Sequence, residues 1–157
     1  MDESEPIVLV DVVAEFRDEH WTLSNFSEHP VTVDGHTYPT VEHWFQAVKA
    51  VHAADHDRIR DAATPAEAKA LGRRVEMVAD WHARRVEVMR RGLAAKFTPG
   101  SEAGAALLAT GDATLLEGND WGDQLWGVSD GSGRNLLGVL LTERRGVLRA
   151  LERDELR

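Results

Sequence analysis

Thr40-Val41-Glu42-His43-Trp44-Phe45-Gln46-Ala47-Val48-Lys49-Ala50 is the stretch that decides how the rest of the chain is read. Thr40 is a good N-cap residue, and the ten positions after it predict a helix. That helix is apolar on most sides: Val41, Trp44, Phe45, Ala47, Val48 and Ala50. A helix of this kind is buried. Its polar residues fall into register. Glu42, Gln46 and Lys49 stand at i, i+4 and i+7, one stripe about two turns long, and His43 flanks it. A polar stripe on a buried helix must be satisfied, either by an internal network or by a cavity that admits a polar ligand. The helix alone leaves both open.

Working outward, Val31-Thr32-Val33, Asp34-Gly35 and His36-Thr37-Tyr38 read as a hairpin with a tight turn. Pro39 ends that hairpin and feeds the helix. Further upstream, Ile7 to Val13 is rich in β-branched residues and predicts a strand, and residues 1–6 a loose tail. Downstream the chain becomes a run of helices. One covers Asp55 to Ala63. A second starts at the capping box Thr64-Pro65-Ala66-Glu67 and ends at Gly72. A third, Trp81 to Phe97, is capped by Asp80, with Val86, Met89, Leu93 and Phe97 inward. Glu102 to Ala109 forms a fourth, closed by Gly111. Thr114 to Glu117 reads as a short strand or edge segment. A loop then runs from Gly118 to Gly133, and a last helix from Arg134 to Leu156 with Leu136, Leu140, Val147, Leu148 and Leu151 inward. The expectation is a mainly α (α+β) fold, one domain over residues 1–157, with a small β element near its N-terminus.

Bulk properties narrow the function. At 157 residues the chain can bury a full core without staples. It has no cysteine, which removes disulfides, thiolate metal sites and thiol nucleophiles. The formal charge of −9, from 18 Lys+Arg against 27 Asp+Glu, argues against non-specific nucleic-acid binding. The acidic start lacks the basic region of a signal peptide, and the apolar run Ile7 to Val10 is too short to span a bilayer, so a soluble cytoplasmic protein without membrane association is expected. Five Trp stand against one Tyr, and Trp suits either a core or a stacking wall.

Several chemistries find no support. His52 and His56 are four apart but lie beside Asp55 and Asp57 on what reads as a solvated face, so no metal site is expected. There is no Gly-x-Ser-x-Gly elbow, no P-loop and no dinucleotide fingerprint, and no cofactor is expected. Two further constellations stand out beside the helix stripe. Asn119-Asp120-Trp121-Gly122-Asp123-Gln124-Leu125-Trp126-Gly127 places Trp residues among glycines and acids in a loop, where they plug a core or wall a pocket. Ser24-Asn25-Phe26 sets an amide beside an aromatic just before a turn.

Taken in order, these pieces resemble the NADAR (YbiA-like) family. The matching motifs are Leu23 to Phe26, Tyr38 to Ala50, Asp80-Trp81 with Met89, Ala95-Lys96-Phe97, Leu107 to Asp112, Leu116-Glu117, Asp123 to Gly127 and Gly133 to Gly138, together spanning roughly residues 16–141. The resemblance implies a compact, mainly α fold and an N-glycosidase, in which water replaces a base or amine on ribose C1. It implies as substrate the ribosylated aminopyrimidine phosphates of early riboflavin biosynthesis. The alternatives are removal of ADP-ribose from guanine in nucleic acid, and a non-catalytic module that binds NAD or ADP-ribose. On that chemistry Glu42 stabilises the cation or activates water, Asp123 holds ribose hydroxyls or the water, and Trp126 stacks on the base or walls the sugar. Gln46 and Lys49 bind phosphate or ribose oxygens, Asn25 and Phe26 close the base side, Trp81 adds a wall, and Gly127 completes the loop motif. His43 is left to packing. Trp121-Gly122 and the leading segment Ile7 to Val13 depart from the family pattern and bear on substrate choice.

Overall fold

The structure is a computed structural model that describes residues 11–156. Strand β1 (Val12–Val13) comes first, followed by a 3-10 turn over Asp18–Leu23. The hairpin follows as β2 (Val31–Val33) and β3 (His36–Tyr38). Three helices come next: α1 (Val41–Val48), α2 (Ala53–Arg60) and α3 (Pro65–Gly72). The long α4 (Trp81–Lys96), α5 (Glu102–Ala109), strand β4 (Thr114–Leu115) and α6 (Leu136–Glu155) complete the order. The fold is mainly α with two small β pairs, as expected.

The hairpin forms as read, with Val31 opposite Tyr38, and both turn residues, Asp34 (φ 52°) and Gly35 (φ 81°), take the left-handed conformation that a tight hairpin turn requires. Of the expected leading strand, Val12–Val13 pairs in parallel with β4 and Asp11 precedes it outside the strand; residues 7–10 and the 1–6 tail lie outside the described residues.

Helix α1 is the axis of the core. Every residue from Val41 to Ala47 is buried. Thr40 caps it, its Oγ1 accepting from the His43 backbone N–H at 3.1 Å. The helix packs against α2, α3, α4 and β3. Trp44 donates its indole N–H to the Val88 carbonyl of α4 at 2.9 Å and meets Tyr38 edge-on at 5.4 Å. His43 bridges Thr40 Oγ1 (2.8 Å) and the Ala62 carbonyl (3.0 Å), so it serves packing.

Three details differ from the sequence reading. Asp80 precedes α4, but its side chain makes no capping bond; it faces Arg84 at 3.7 Å instead. On α6 the core face is Leu137, Leu140, Leu141 and Leu148, while Val147 and Leu151 are exposed. The core-facing residues keep the 3-4-7 spacing of one stripe, and Val147 lies beyond its edge. Helix α2 covers Ala53–Arg60 where the sequence predicts Asp55 to Ala63, while α3 ends as read at Gly72. The small size of Gly72 serves the site described below. Among the described residues no helix is long and apolar enough to cross a membrane.

Candidate active site

Four parts of the chain meet around one cavity of about 480 Å³: the first turns of α1, the Ser24–Phe26 turn, α3, and the loop that leaves β4. Each places its side chains by a different device.

Helix α1 contributes Glu42, Phe45 and Gln46. The i, i+4 spacing brings Gln46 Nε2 to donate to Glu42 Oε1 at 2.8 Å. Gln46 lies against the backbone of α3 at Gly72. A Cβ at Gly72 would overlap Gln46 Oε1 and lie 2.8 Å from its Cδ, so glycine there is what lets the amide fit. Burial pushes the Glu42 carboxyl up from its ordinary range. The Gln46 hydrogen bond and the charges of Lys69 and Lys49 pull it back, and Asp123 adds to the upward push.

The Ser24–Phe26 turn is fastened on both sides. The Asn25 carbonyl accepts from the Glu42 backbone N–H at 3.2 Å, which ties the turn to the start of α1. From beneath, Lys96 of α4 donates to the Ser24 carbonyl (2.8 Å) and Ser27 Oγ (2.6 Å). Lys96 is buried with no carboxylate partner among the described residues, and burial lowers its ammonium to about 7. The Asn25 amide nitrogen faces Met89 Sδ at 3.4 Å.

The loop after β4 is held by its own side chains. Asn119 accepts from the Asp123 backbone N–H (3.0 Å) and donates to the Asp123 carbonyl (2.9 Å). Asp123 Oδ1 accepts from the backbone N–H groups of Leu125 (3.1 Å) and Trp126 (3.0 Å), which aims Trp126 at the cavity. Trp126 meets Phe45 edge-on at 5.4 Å. Asn135, left-handed at φ 52°, accepts from the Glu117 N–H (3.0 Å) and donates to the Leu115 carbonyl (2.8 Å).

Six of the nine residues expected at the site therefore line one cavity: Asn25, Phe26, Glu42, Gln46, Asp123 and Trp126. Three do not. Lys49 is the C-cap of α1, seven residues or about 10 Å along the axis from Glu42, and reaches it only as a charge. Trp81 stands behind Phe45 at 5.0 Å and supports it from the core. Gly127 lies under Glu117, whose carbonyl a Cβ would overlap.

Further residues line the cavity beyond those six, among them Trp121 of the segment that departs from the family pattern. Lys69 of α3 lies over both the Phe26 ring (5.9 Å) and the Trp121 ring (5.8 Å) and supplies the cation that Lys49 does not. Trp21 and Trp121 flank the mouth, both substantially exposed. Glu117 is a third carboxylate beside Glu42 and Asp123. Burial, then the charges of Asp123 and Glu42, raise it to about 7 against the opposing pull of Lys69 and Arg17. No periodicity pointed to Lys69 or Glu117; the one trace was Glu117's place in a family-like motif.

Among the described residues, three buried side-chain atoms have no hydrogen-bond partner: Asn25 Oδ1, Gln46 Oε1 and Glu117 Oε2. All three residues line this cavity. Orphaned buried polar atoms are costly and rare. Three gathered in one aromatic-walled cavity single it out as the candidate site.

Residues 13–149 match the model of the NADAR domain. The chain belongs to the NADAR family. It is 38% identical over 144 residues to the N-glycosidase YbiA of Escherichia coli, spanning 88% of this chain and 89% of that protein. It is 37% identical over 127 residues to the riboflavin biosynthesis protein VVA0006 of Vibrio vulnificus, spanning 79% of this chain and 34% of that protein. The NMR structure of E. coli YbiA superposes with a TM-score of 0.81, covering 94% of this chain and 90% of that one. The NADAR match contains every cavity-lining residue, from Phe16 to Leu137.

Proposed function

We propose that this chain is an N-glycosidase that hydrolyses the bond between ribosyl C1 and a nitrogen of an aminopyrimidine, in the ribosylated aminopyrimidine phosphates of riboflavin biosynthesis. The observation that carries this reading is the set of unpartnered atoms Asn25 Oδ1, Gln46 Oε1 and Glu117 Oε2 around a cavity that also holds Glu42. A ribose with an attached aminopyrimidine is rich in hydroxyl and amine donors and has a flat face. The cavity offers acceptors on one side and the rings of Phe26, Phe45 and Trp126 on the other.

Cleavage of an N-glycoside passes through a ribosyl cation with positive charge developing at C1. Glu42, buried and cavity-facing, stabilises that charge and takes a proton from the attacking water. Gln46 holds Glu42 in place and accepts from a ribose hydroxyl through Oε1. Asp123 shapes the Trp126 turn and lies where it contacts the sugar or the water. Lys69 at the cavity wall neutralises the substrate phosphate.

The test is mass spectrometry of released bases. Wild-type protein and the folded Glu42→Gln variant are incubated in parallel with ribosylaminopyrimidine phosphates, ADP-ribose and ADP-ribosylated DNA. Free aminopyrimidine is expected from the wild type. Glu42→Gln should turn over at least ~100-fold more slowly at an unchanged melting profile. Release from ADP-ribosylated DNA alone would move the substrate to nucleic acid. Release from none, with ligand-dependent melting, would make the chain a reader.

A further inference from the structure

We infer that Glu117 is the acid that protonates the departing nitrogen, an assignment that rests on the N-glycosidase reading above. An amine or ring nitrogen leaving ribosyl C1 needs a proton, and Glu42, as acceptor of the water proton, cannot donate one in the same step.

The geometry singles out Glu117 among the three cavity carboxylates. Asp123 Oδ1 already accepts two backbone N–H groups, which commits it to holding the Trp126 turn. Glu42 Oε1 accepts from Gln46, with the charges of Lys69 and Lys49 nearby. Glu117 Oε2 is buried in the same cavity and accepts from nothing. A carboxyl oxygen with no donor aimed at it is one whose neighbours favour the protonated form. Asp123, Glu42, Lys69 and Arg17 are the charged groups that face it, and burial with the two acids outweighs the two bases, holding it near 7. Burial raises both Glu42 and Glu117, so the difference in role rests on hydrogen bonding: Glu42 Oε1 has a donor in Gln46, and Glu117 Oε2 has none among the described residues.

The backbone around Glu117 is fixed as a catalytic acid requires. Its N–H is held by Asn135 Oδ1 at 3.0 Å, and its carbonyl accepts from the Val128 N–H at 2.9 Å. Its Cγ passes over Gly127, where a Cβ would stand 3.0 Å away while also overlapping the Glu117 carbonyl. Gly127 thus leaves the room in which the Glu117 side chain turns toward the cavity.

The step balances. The C1–N bond breaks and its electron pair goes to nitrogen, which takes the proton from the Glu117 carboxyl. The water oxygen bonds to C1 and its proton passes to the Glu42 carboxylate. The products are ribose bearing a hydroxyl at C1 and the free amine. Transfer of one proton from Glu42 to Glu117 through solvent restores the starting state.

The test is the pH profile of kcat/KM on a ribosylaminopyrimidine phosphate for wild type, Glu117→Gln, Glu117→Asp and Glu42→Gln. The wild-type rate should fall on the alkaline side, above about pH 7 where Glu117 loses its proton. Glu117→Gln should lose at least ~100-fold at pH 6, keep KM within a few-fold, and lack that alkaline limb. Glu117→Asp should retain the limb at reduced rate. A wild-type profile without an alkaline limb, Glu117→Gln within threefold of wild type, or loss of the limb in Glu42→Gln instead would each overturn the assignment while leaving an N-glycosidase. Absence of base release from the wild type would bring down the N-glycosidase reading itself, and the acid with it.

Discussion

The two walls that carry the cavity's carboxylates are built in opposite ways. On one side, α1 presents Glu42 from a regular helix whose every residue from Val41 to Ala47 is locked in the core. On the other, Glu117 and Asp123 stand on an irregular loop held by side chains of Asn119, Asp123 and Asn135 bonding to backbone. The carboxylates differ accordingly. Each has two cations nearby, but Glu42 also has a hydrogen-bond donor in Gln46, whereas Glu117 Oε2 has no partner among the described residues. The helix wall is stabilised by packing that has nothing to do with ligand. The loop wall carries an acid that costs stability, which is the expected signature of a site shaped for binding or chemistry rather than for folding.

The largest effect that could break this comparison is a pH-dependent one. The folded-state Glu117 carboxyl, at about 7, lies above its ordinary 4.5. Below 4.5 it is protonated in both the folded and the unfolded chain and contributes nothing. As pH rises from 4.5 to about 7 the unfolded chain gives up this proton while the folded chain keeps it, so stability falls; above about 7 the loss is constant. The cost is on the order of 3 kcal/mol. Glu117→Gln should therefore melt about 5–10 °C above wild type at pH 8 relative to the difference at pH 4. Glu42→Gln gives up the carboxylate acceptor of the Gln46 Nε2 hydrogen bond, a loss with no counterpart at Glu117, and should gain less. Equal gains at the two positions would erase the asymmetry between the walls.

The same contrast explains what the sequence made legible. On α1 the helical period fixes relative positions, so Glu42 and Gln46 could be placed on one face before any coordinates. The period says nothing about how far a cavity extends, and Lys49, on the same stripe, falls about 10 Å beyond it. The hairpin was legible because Asp-Gly demands one turn geometry. Lys69 was not, because an exposed-looking lysine on an Ala-rich helix carries no mark of what it faces. Nor was Glu117, whose orientation depends on a two-residue strand paired across about a hundred residues and on Asn135 reaching back eighteen positions. Long-range pairing and side-chain-to-backbone bonds leave no local pattern to read.

Two glycines sharpen the comparison at smaller cost. Gly127→Ala drives a Cβ into the Glu117 carbonyl, which is backbone and cannot step aside. It should lower stability by roughly 1–3 kcal/mol and remove most turnover, because Glu117 moves with its backbone. Gly72→Ala meets the end of the Gln46 side chain instead, which can swing away. Its stability should stay within about 1 kcal/mol of wild type, since Ala favours the helix, while KM rises as the amide leaves Glu42. Denaturant melts with steady-state kinetics on both variants measure this. A larger stability loss at Gly72 than at Gly127 would mean that the rigid element is α3 and not the loop.

The smallest effects separate fastening from function. Thr40→Ala removes the side chain that caps α1 and donates to His43 Nδ1, and Asn119→Ala removes the one that closes the loop around Asp123. Each should cost about 1 kcal/mol in chemical denaturation. Their kinetic consequences should differ. After Thr40→Ala the helix remains clamped by Val41, Trp44 and Ala47, so Glu42 stays in place and kcat/KM should remain within about twofold. After Asn119→Ala the turn keeps its own Asp123 bonds but loses the pair that ties Asp123 to the start of the loop, and kcat/KM should drop about tenfold or more. If the two variants lose activity equally for equal losses of stability, the loop is as firmly packed as the helix. Its hydrogen bonds would then serve folding rather than the placement of Asp123 and Trp126.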